Sequence, residues 1–294
     1  MTQVVYIDGK FYDKDNAKVS VFDHGYLYGD GVFEGIRAYN GRVFKLDEHV
    51  GRLFDSAKVI ALNPGVTQDE MKQIILNTCA KNHIRDGYIR PIISRGIGDL
   101  GLNPYNCTKA TVVCIAGSIS LYPEKVYQEG MKIVTVPTPR NNNESLNPRV
   151  KSLNYLNNIM AKMEGIHAGA PEALMLNPSG MVAECTGDNI FIIKNGVVHT
   201  PNVQSGSLDG ITRRTVIDVA KTRGLEVMEG PMSRFDIWVA DEFFLTGTAA
   251  EVVPIVELDK RSIGNGQVGP LTKALIADFK AFVSQNGTPI PAAD

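Results

Sequence analysis

The chain has 294 residues, 44 % hydrophobic and 21 % charged, the balance of a soluble globular protein with room for one large domain or two ordinary ones. Thirty basic and 32 acidic residues leave a formal net charge of −2, which removes the electrostatic grounds for nucleic acid or an anionic membrane as partner. The cysteines (Cys79, Cys107, Cys114, Cys185) form no CxxC pair and the five histidines are scattered, so no metal site is expected, and the thiols read as reduced in a cytoplasmic protein.

Hairpin signals open the chain. "VVYIDGKFYD" alternates apolar residues around Asp8-Gly9, and "IRAYNGRVFKL" does so around Asn40-Gly41. Both dipeptides supply the positive φ angles that tight hairpins need. A helix is predicted over about 47–62. A second starts near Thr67, where Thr67 and Glu70 make a capping-box pattern and Val66 can staple on Met71. "YIRPIISRGIG" and "KATVVCIAGSIS" read as buried strands. The pattern breaks over 118–130, taken as an interdomain linker between a small α/β domain (1–117) and a larger one (131–294).

The larger part opens with the strand "MKIVTVPTP". Lys151 then stands just ahead of a predicted helix in which Leu153, Leu156, Ile159, Met160 and Met163 recur at helical spacing and Gly165 closes the run. Two more hairpins turn at Ser179-Gly180 and Asn195-Gly196, and "ITRRTVIDVAKTRG" is an amphipathic helix ending at Gly224. Strands near 226–229 and 242–246, a helix near 270–284 and a loose tail over 286–294 complete the chain. Hairpins outnumber βαβ units, so the fold class is α+β. The first residues lack the basic-then-apolar pattern of a secretory leader, and no apolar run approaches the ~18 residues of a membrane span.

Several stretches carry chemistry. "GIGDLG" (96–101) matches G-x-G-x-x-G, but Pro104 follows and no helical pattern continues. A dinucleotide pyrophosphate needs a helix N-terminus behind those glycines, so the segment reads as a loop. "SLDGITRRTV" turns at Asp209-Gly210 straight into a helix, leaving the amides of Ile211 and Thr212 as an anion site. "FLTGTAAEVVP" ends a strand in small residues, where backbone amides can approach a ligand beside the Thr248 hydroxyl. Glu184 ends an apolar strand and Arg52 sits in an amphipathic helix. Singly these are a rim carboxylate, a surface arginine, a capped helix and a solvated lysine. Together they answer one cofactor, pyridoxal 5'-phosphate, whose aldehyde, phosphate and ring nitrogen call for an amine, an anion site and a carboxylate.

"GDGVFEGIRAYNG" (29–41), "HVGRLFDSAK" (49–58), "YIRPIISRGIGDLGL" (88–102), "VKSLNYLNNIMAK" (150–162), "ECTGDNIFIIKNG" (184–196), "LDGITR" (208–213) and "GTAAEVVPI" (247–255) stand in this order along the chain. With them the sequence resembles the class IV (fold type IV) pyridoxal-phosphate aminotransferases, and among these the branched-chain amino acid aminotransferases. The resemblance implies a two-domain α+β fold of the D-amino acid aminotransferase-like type. It implies amino transfer from leucine, isoleucine or valine to 2-oxoglutarate by a ping-pong scheme. Lys151 would bind the cofactor aldehyde covalently and later move the proton. Glu184 would pair with the ring nitrogen, and Tyr155 with the ring hydroxyl. Arg52, Ile211, Thr212 and Thr248 would hold the phosphate. Tyr88, with the amides of Thr248 and Ala249, would receive the substrate α-carboxylate. Phe33 and Tyr28 would line the side-chain pocket, with Arg90 beside it, and Arg90 and Tyr28 would supply a polar contact able to take either substrate. A homodimer or higher homo-oligomer is implied, because a partner subunit completes the pocket in this family.

The sequence also departs from family patterns. "KSLNY" is a shorter spacer than some members have, and Cys185 stands where glycine is common. The Arg-x-His carboxylate trap of the D-amino acid enzymes is replaced by Arg95-Gly96-Ile97. The alternatives on this scaffold are a D-amino acid aminotransferase and an aminodeoxychorismate lyase. A non-catalytic phosphate-ligand module would keep Arg52 and the 211–212 turn but need neither Lys151 nor Glu184.

Overall fold

The structure is a computed structural model describing residues 3–119 and 121–292. It divides into two compact units. The first takes the chain up to Ile119, the short segment Val150–Asn154, and the residues from Val283 onward. The second takes 121–149 and Tyr155–Phe282. A sequence boundary at 118–130 does not capture the two returns to the first unit, one of which carries Lys151.

In the first unit the chain forms β1 (Val4–Ile7), β2 (Lys10–Asp13), α1 (His24–Tyr28), β3 (Gly31–Phe33), β4 (Ile36–Tyr39), β5 (Arg42–Val43), α2 (Leu46–Val59), α3 (Gln68–Lys81), β6 (Gly87–Ser94) and β7 (Thr111–Gly117). The sheet order is β5-β4-β6-β7-β1-β2, with β3 also on β6, and every pairing is antiparallel. The hairpin dipeptides act as expected: Asp8 and Gly9 adopt φ of 46° and 92°, Asn40 and Gly41 of 50° and 74°. Thr67 caps α3 through the reciprocal box with Glu70. Period-two alternation in β6 sorts its residues. Ile89 and Ile93 enter the core with Leu53, Met71 and Ile75 of α2 and α3, while Tyr88, Arg90 and Ile92 stand half-buried on the other face.

The expected loose tail is partly ordered. Thr288–Pro289 pairs antiparallel with β5, Arg42 Nη1 donates to the Gly287 carbonyl at 3.1 Å, and Ile290 N donates to Gly41 O at 2.9 Å. Terminal position marked the segment as tail, but an open strand edge offers any passing backbone its hydrogen bonds. Residues 293–294 lie outside the described part of the structure.

The 96–101 segment is a loop, followed by a single 3₁₀ turn at Pro104–Asn106. Gly96 has φ of 90°, its carbonyl accepts from His24 N at 2.9 Å, and an added Cβ would stand 1.8 Å from the Lys109 carbonyl oxygen. A backbone oxygen cannot swing aside as a side chain can. Gly96→Ala should therefore cost about 2–4 kcal/mol, strain and clash together. The urea midpoint checks this, and an unchanged midpoint would show that the loop yields freely.

In the second unit the elements are α4 (Glu124–Glu129), β8 (Met131–Thr135), α5 (Leu156–His167), β9 (Ala173–Leu176), β10 (Val182–Cys185), β11 (Asn189–Lys194), β12 (Val197–Pro201), α6 (Ile211–Thr222), β13 (Val227–Gly230), α7 (Arg234–Trp238), β14 (Glu242–Gly247), β15 (Glu251–Leu258), β16 (Arg261–Ser262) and α8 (Pro270–Gln285), the last running to where the chain rejoins the first unit. The sheet order is β10-β9-β8-β15-β14-β11-β12-β13, with β16 on β15. The β8–β9, β8–β15 and β12–β13 pairs are parallel, so this sheet is mixed. Its core joins Met131, Ile133, Leu174, Ile190, Phe243, Leu245 and Val253.

Three sequence expectations change here. Strand β15 was not among the expected strands; it contains Pro254, which donates no ladder bond, and pairing with β8 begins only at Ile255, past the proline. The stretch taken as linker holds α4, and Tyr122, Val126 and Tyr127 pack on the second unit's core, with Tyr127 Oη donating to the Ala250 carbonyl at 3.1 Å. Ser120 within that stretch lies outside the described residues. Finally, Gly165 lies inside α5 rather than at its end. It belongs to the packed face with Asn158 and Ala161, where a Cβ would come 3.0 Å from that of Ala173. The large apolar residues Leu156, Ile159, Met160, Met163 and Ile166 are all exposed, so the helix turns its small residues inward and its apolar stripe outward.

Candidate active site

Lys151 belongs to the first unit. Its segment runs antiparallel beside β3: Phe33 N donates to Lys151 O at 2.9 Å, Leu153 N to Gly31 O at 2.9 Å, and Val32 bridges Ser152. The Lys151 amide donates to Ser56 Oγ of α2 at 3.2 Å. This anchoring places Nζ 4.6 Å from the centre of the Phe33 ring. The Arg90 guanidinium approaches the same ring at 4.6 Å and the Tyr88 ring at 5.3 Å, and Arg90 Nη2 donates to Tyr88 Oη at 2.8 Å. Phe33, Tyr88, Arg90 and Lys151 thus form one cluster. Arg37, not singled out from the sequence, faces Tyr88 in the β4–β6 register and belongs to the same sheet face. Gly35 leaves room for this tyrosine, since a Cβ there would meet Tyr88 Oη at 2.0 Å and push the ring aside. Tyr28 does not meet Arg90 through its hydroxyl, which donates to the Leu100 carbonyl at 2.5 Å, while its ring stands edge-on to His24.

Arg52 is no surface arginine, its side chain being only 10 % exposed. It forks onto Glu34, Nε to Oε1 at 2.6 Å and Nη2 to Oε2 at 2.9 Å. His49, one turn earlier on α2, shares Oε2 through Nδ1 at 2.8 Å, and Gly35 N donates there at 3.2 Å. Burial alone would raise the Glu34 pKa, but the Arg52 charge, the His49 ring and their hydrogen bonds hold it well below the usual carboxylate range. Burial likewise lowers His49, outweighing the pull of Glu34. A carboxylate only accepts, so the neutral imidazole carries its proton on Nδ1.

In the second unit Glu184 lies near the end of β10 with 5 % exposure. Arg140 Nε donates to Oε1 at 2.8 Å; Leu208 N and Asn189 Nδ2 donate to Oε2 at 3.0 and 3.2 Å. Arg140, itself 5 % exposed, continues through Nη1 to Asn158 Oδ1 at 3.3 Å on α5, the helix that Tyr155 precedes. Asn189 Nδ2 also donates to Leu208 O at 2.8 Å, and its Oδ1 would lie 2.0 Å from a Cβ at Gly210. One asparagine therefore ties the carboxylate to the start of α6.

That helix start has no side-chain cap, although Ile211 and Thr212 are 3 % and 5 % exposed. Buried helix amides without a cap suit an anion. The buried hydroxyls of Ser207, in the loop before α6, and Thr246, opposite Asn189 in register, have no hydrogen-bond partner in the protein. Thr248 and Ala249 follow directly in the half-buried turn after β14. An uncapped helix, orphaned hydroxyls and a fixed carboxylate are the donor set a phosphorylated pyridine would need, so these residues fit pyridoxal phosphate. Glu34, His49, Arg140 and Asn189 were not found from sequence. The one local hint was a charge inside the apolar run "GVFEGI".

The family described as amino-transferase class IV matches residues 31–258. A Methanocaldococcus jannaschii protein, provisionally assigned as a branched-chain-amino-acid aminotransferase, is 52 % identical over 276 residues, 94 % of this chain and 95 % of its own length. The branched-chain-amino-acid aminotransferase of Pseudomonas aeruginosa is 40 % identical over 287 residues, 96 % and 93 % of the two chains. Among solved structures, the T.th. branched-chain amino acid aminotransferase with pyridoxamine 5'-phosphate gives a TM-score of 0.93 at 37 % identity, covering 97 % of this chain and 95 % of that one. The same enzyme with N-(5'-phosphopyridoxyl)-L-glutamate gives 0.92 at 36 % identity, with the same coverage. The matched region includes Arg52, Lys151, Glu184 and Thr248, and with it this chain belongs to the class IV aminotransferases.

Proposed function

We propose that the chain is a branched-chain L-amino acid aminotransferase, moving the amino group of leucine, isoleucine or valine to 2-oxoglutarate with pyridoxal 5'-phosphate in two half-reactions. The observation that carries this reading is Glu184, a buried carboxylate fixed by three donors. A module that only bound a phosphate ligand would have no use for it.

Bound pyridoxal phosphate supplies an aldehyde for the amino group and a ring that takes up electrons when the α-proton leaves. The chain's own residues do the rest. Lys151 would hold the aldehyde until the substrate amine displaces it, and the freed amine would then take the α-proton and return it. Glu184 holds a proton on the ring nitrogen, and Tyr155 donates to the ring hydroxyl. Arg52, the amides of Ile211 and Thr212, and Thr248 hold the phosphate. Tyr88 and the amides of Thr248 and Ala249 receive the α-carboxylate. Phe33 and Tyr28 line the side-chain pocket, with Arg90 beside it as the polar contact for a substrate carboxylate.

The exposed apolar stripe of α5 supports a homodimer, since a free surface of five large apolar side chains calls for a cover. Free thiols at all four cysteines accord with a cytoplasmic location, and no helix among the described residues is long and apolar enough to cross a membrane. Arg95 speaks against a D-amino acid carboxylate trap at its position. It forks onto Asp30 at 2.8 and 3.0 Å and donates to the carbonyls of Ala61 and Ile60 past the end of α2, so its donors already have protein partners.

A panel of L- and D-amino acids with 2-oxoglutarate tests the proposal. Glutamate should form from L-leucine, L-isoleucine and L-valine but not from their D-isomers, and no pyruvate should be released from aminodeoxychorismate. Faster turnover of D-alanine, or pyruvate release, would move the chain to one of the other reactions on this scaffold.

A further inference from the structure

Glu34 poses a puzzle if Arg52 holds a phosphate. A carboxylate forked onto the arginine cancels much of its charge, which by itself weakens the pull on any other anion. Such an arrangement helps only if placement outweighs charge.

Placement is what the contacts around Glu34 provide. The residue sits between β3 and β4, and its amide donates to Pro91 O of β6 at 2.9 Å. Its Oε2 is held by His49 and by its own neighbour Gly35, so the carboxylate plane is set by more than Arg52. The Arg52 guanidinium must then lie in that plane, because both prongs of the fork are made. The fork uses the Nε–Nη2 edge, which fixes where the rest of the guanidinium lies. His49 and Arg52 stand one turn apart on α2 and grip the same acid, which registers the helix against the strand carrying Phe33, the ring that Lys151 and Arg90 approach. A lysine in place of Arg52 could not hold Glu34 and a phosphate in fixed geometry at once.

We infer that Glu34, held by His49, is the positioning residue that sets the Arg52 guanidinium for the cofactor phosphate. The inference rests on the assignment of Arg52 to that phosphate under the proposed function.

The test titrates purified apoprotein with two probes, pyridoxal 5'-phosphate and pyridoxal, which lacks the phosphate. The ratio of the pyridoxal Kd to the pyridoxal 5'-phosphate Kd isolates the phosphate contribution from everything else the ring contacts. Glu34→Asp keeps the charge but withdraws the carboxylate by one methylene, so it separates placement from charge. It should lower the ratio by about 10- to 100-fold, the worth of one charge-assisted hydrogen bond, with the pyridoxal Kd little changed. Arg52→Lys should lower the ratio at least as far, and adding Glu34→Asp to it should lower the ratio no further. His49→Leu should act in the same direction, and His49→Asn, whose amide can donate from nearly the same point, should recover most of the loss.

Equal weakening of both probes by Glu34→Asp would make Glu34 a structural residue and overturn the inference. A raised ratio would show that charge outweighs placement and overturn it as well. An unchanged ratio in Arg52→Lys would instead remove Arg52 from the phosphate and take the inference with it. Should Glu34→Asp fail to fold, the His49 pair decides: recovery by asparagine supports the inference, and no difference between leucine and asparagine overturns it.

Discussion

Lys151→Ala should abolish amino-group transfer while leaving a folded protein. The backbone at this position anchors the segment: the amide donates to Ser56 Oγ at 3.2 Å and the carbonyl accepts from Phe33 N at 2.9 Å, and alanine keeps both bonds. The side chain's contact with the Phe33 ring is worth about 0.5–2 kcal/mol, so the melting temperature should move little. The chemistry loses two functions at once. A positioned base contributes about 10²–10⁴-fold on its own, and the amine that captures the aldehyde is lost with it. Glutamate formation from L-leucine and 2-oxoglutarate should therefore fall by at least ~10⁴-fold. Borohydride gives an independent reading. In the native protein reduction should fix the chromophore onto the peptide containing Lys151, and in the alanine variant the colour should wash out. Substantial residual turnover, or label on another lysine, would place the covalent chemistry elsewhere.

Turns and caps differ from the buried charge pairs in how they could be read from sequence. Local signals worked where local physics decides the outcome. Asn40-Gly41 and Asn195-Gly196 need positive φ and turn the chain where expected, and Thr67 with Glu70 caps α3. The residues that fix the site's charges are of another kind. Glu34 and Arg52 are 18 positions apart, and Arg140 and Glu184 are 44 apart. No periodicity or turn rule links such pairs, because each is made by elements that meet only after folding. Helix α5 shows a third limit. Its apolar spacing correctly announces a helix, but spacing cannot say which face is covered within the chain, and the structure turns Leu156, Ile159 and Met163 outward. Likewise the tail over 286–292 reads as loose from its terminal position, yet it is held by backbone bonds that no side-chain pattern encodes.

Glu184→Gln is the sharper test of the cofactor chemistry, because it changes one atom and leaves the shape. The three donors around the carboxylate expect acceptors on both oxygens: Arg140 on Oε1, Leu208 and Asn189 on Oε2. A glutamine has one oxygen and one NH₂ group, so in either orientation its NH₂ faces at least one donor. Arg140, 5 % exposed, also loses its counter-charge. Removing one partner of a buried pair outright costs about 3–5 kcal/mol; glutamine keeps some of the hydrogen bonding, so the apoprotein should lose less than that, seen as a lower melting temperature. The effect on catalysis follows from charge alone. A neutral amide cannot hold the proton on the ring nitrogen, so α-proton removal should slow by ~10²-fold or more, within the range for a misplaced proton in acid–base catalysis. With leucine deuterated at Cα the isotope effect should rise towards its full value, since that step becomes limiting, while the Kd for pyridoxal 5'-phosphate should change far less than the rate. Glu184→Asp, which keeps the charge, should fall between the two. Wild-type proton removal in the glutamine variant would mean that another group protonates the ring, and the Arg140–Glu184 pair would then be a structural brace between β10 and α5.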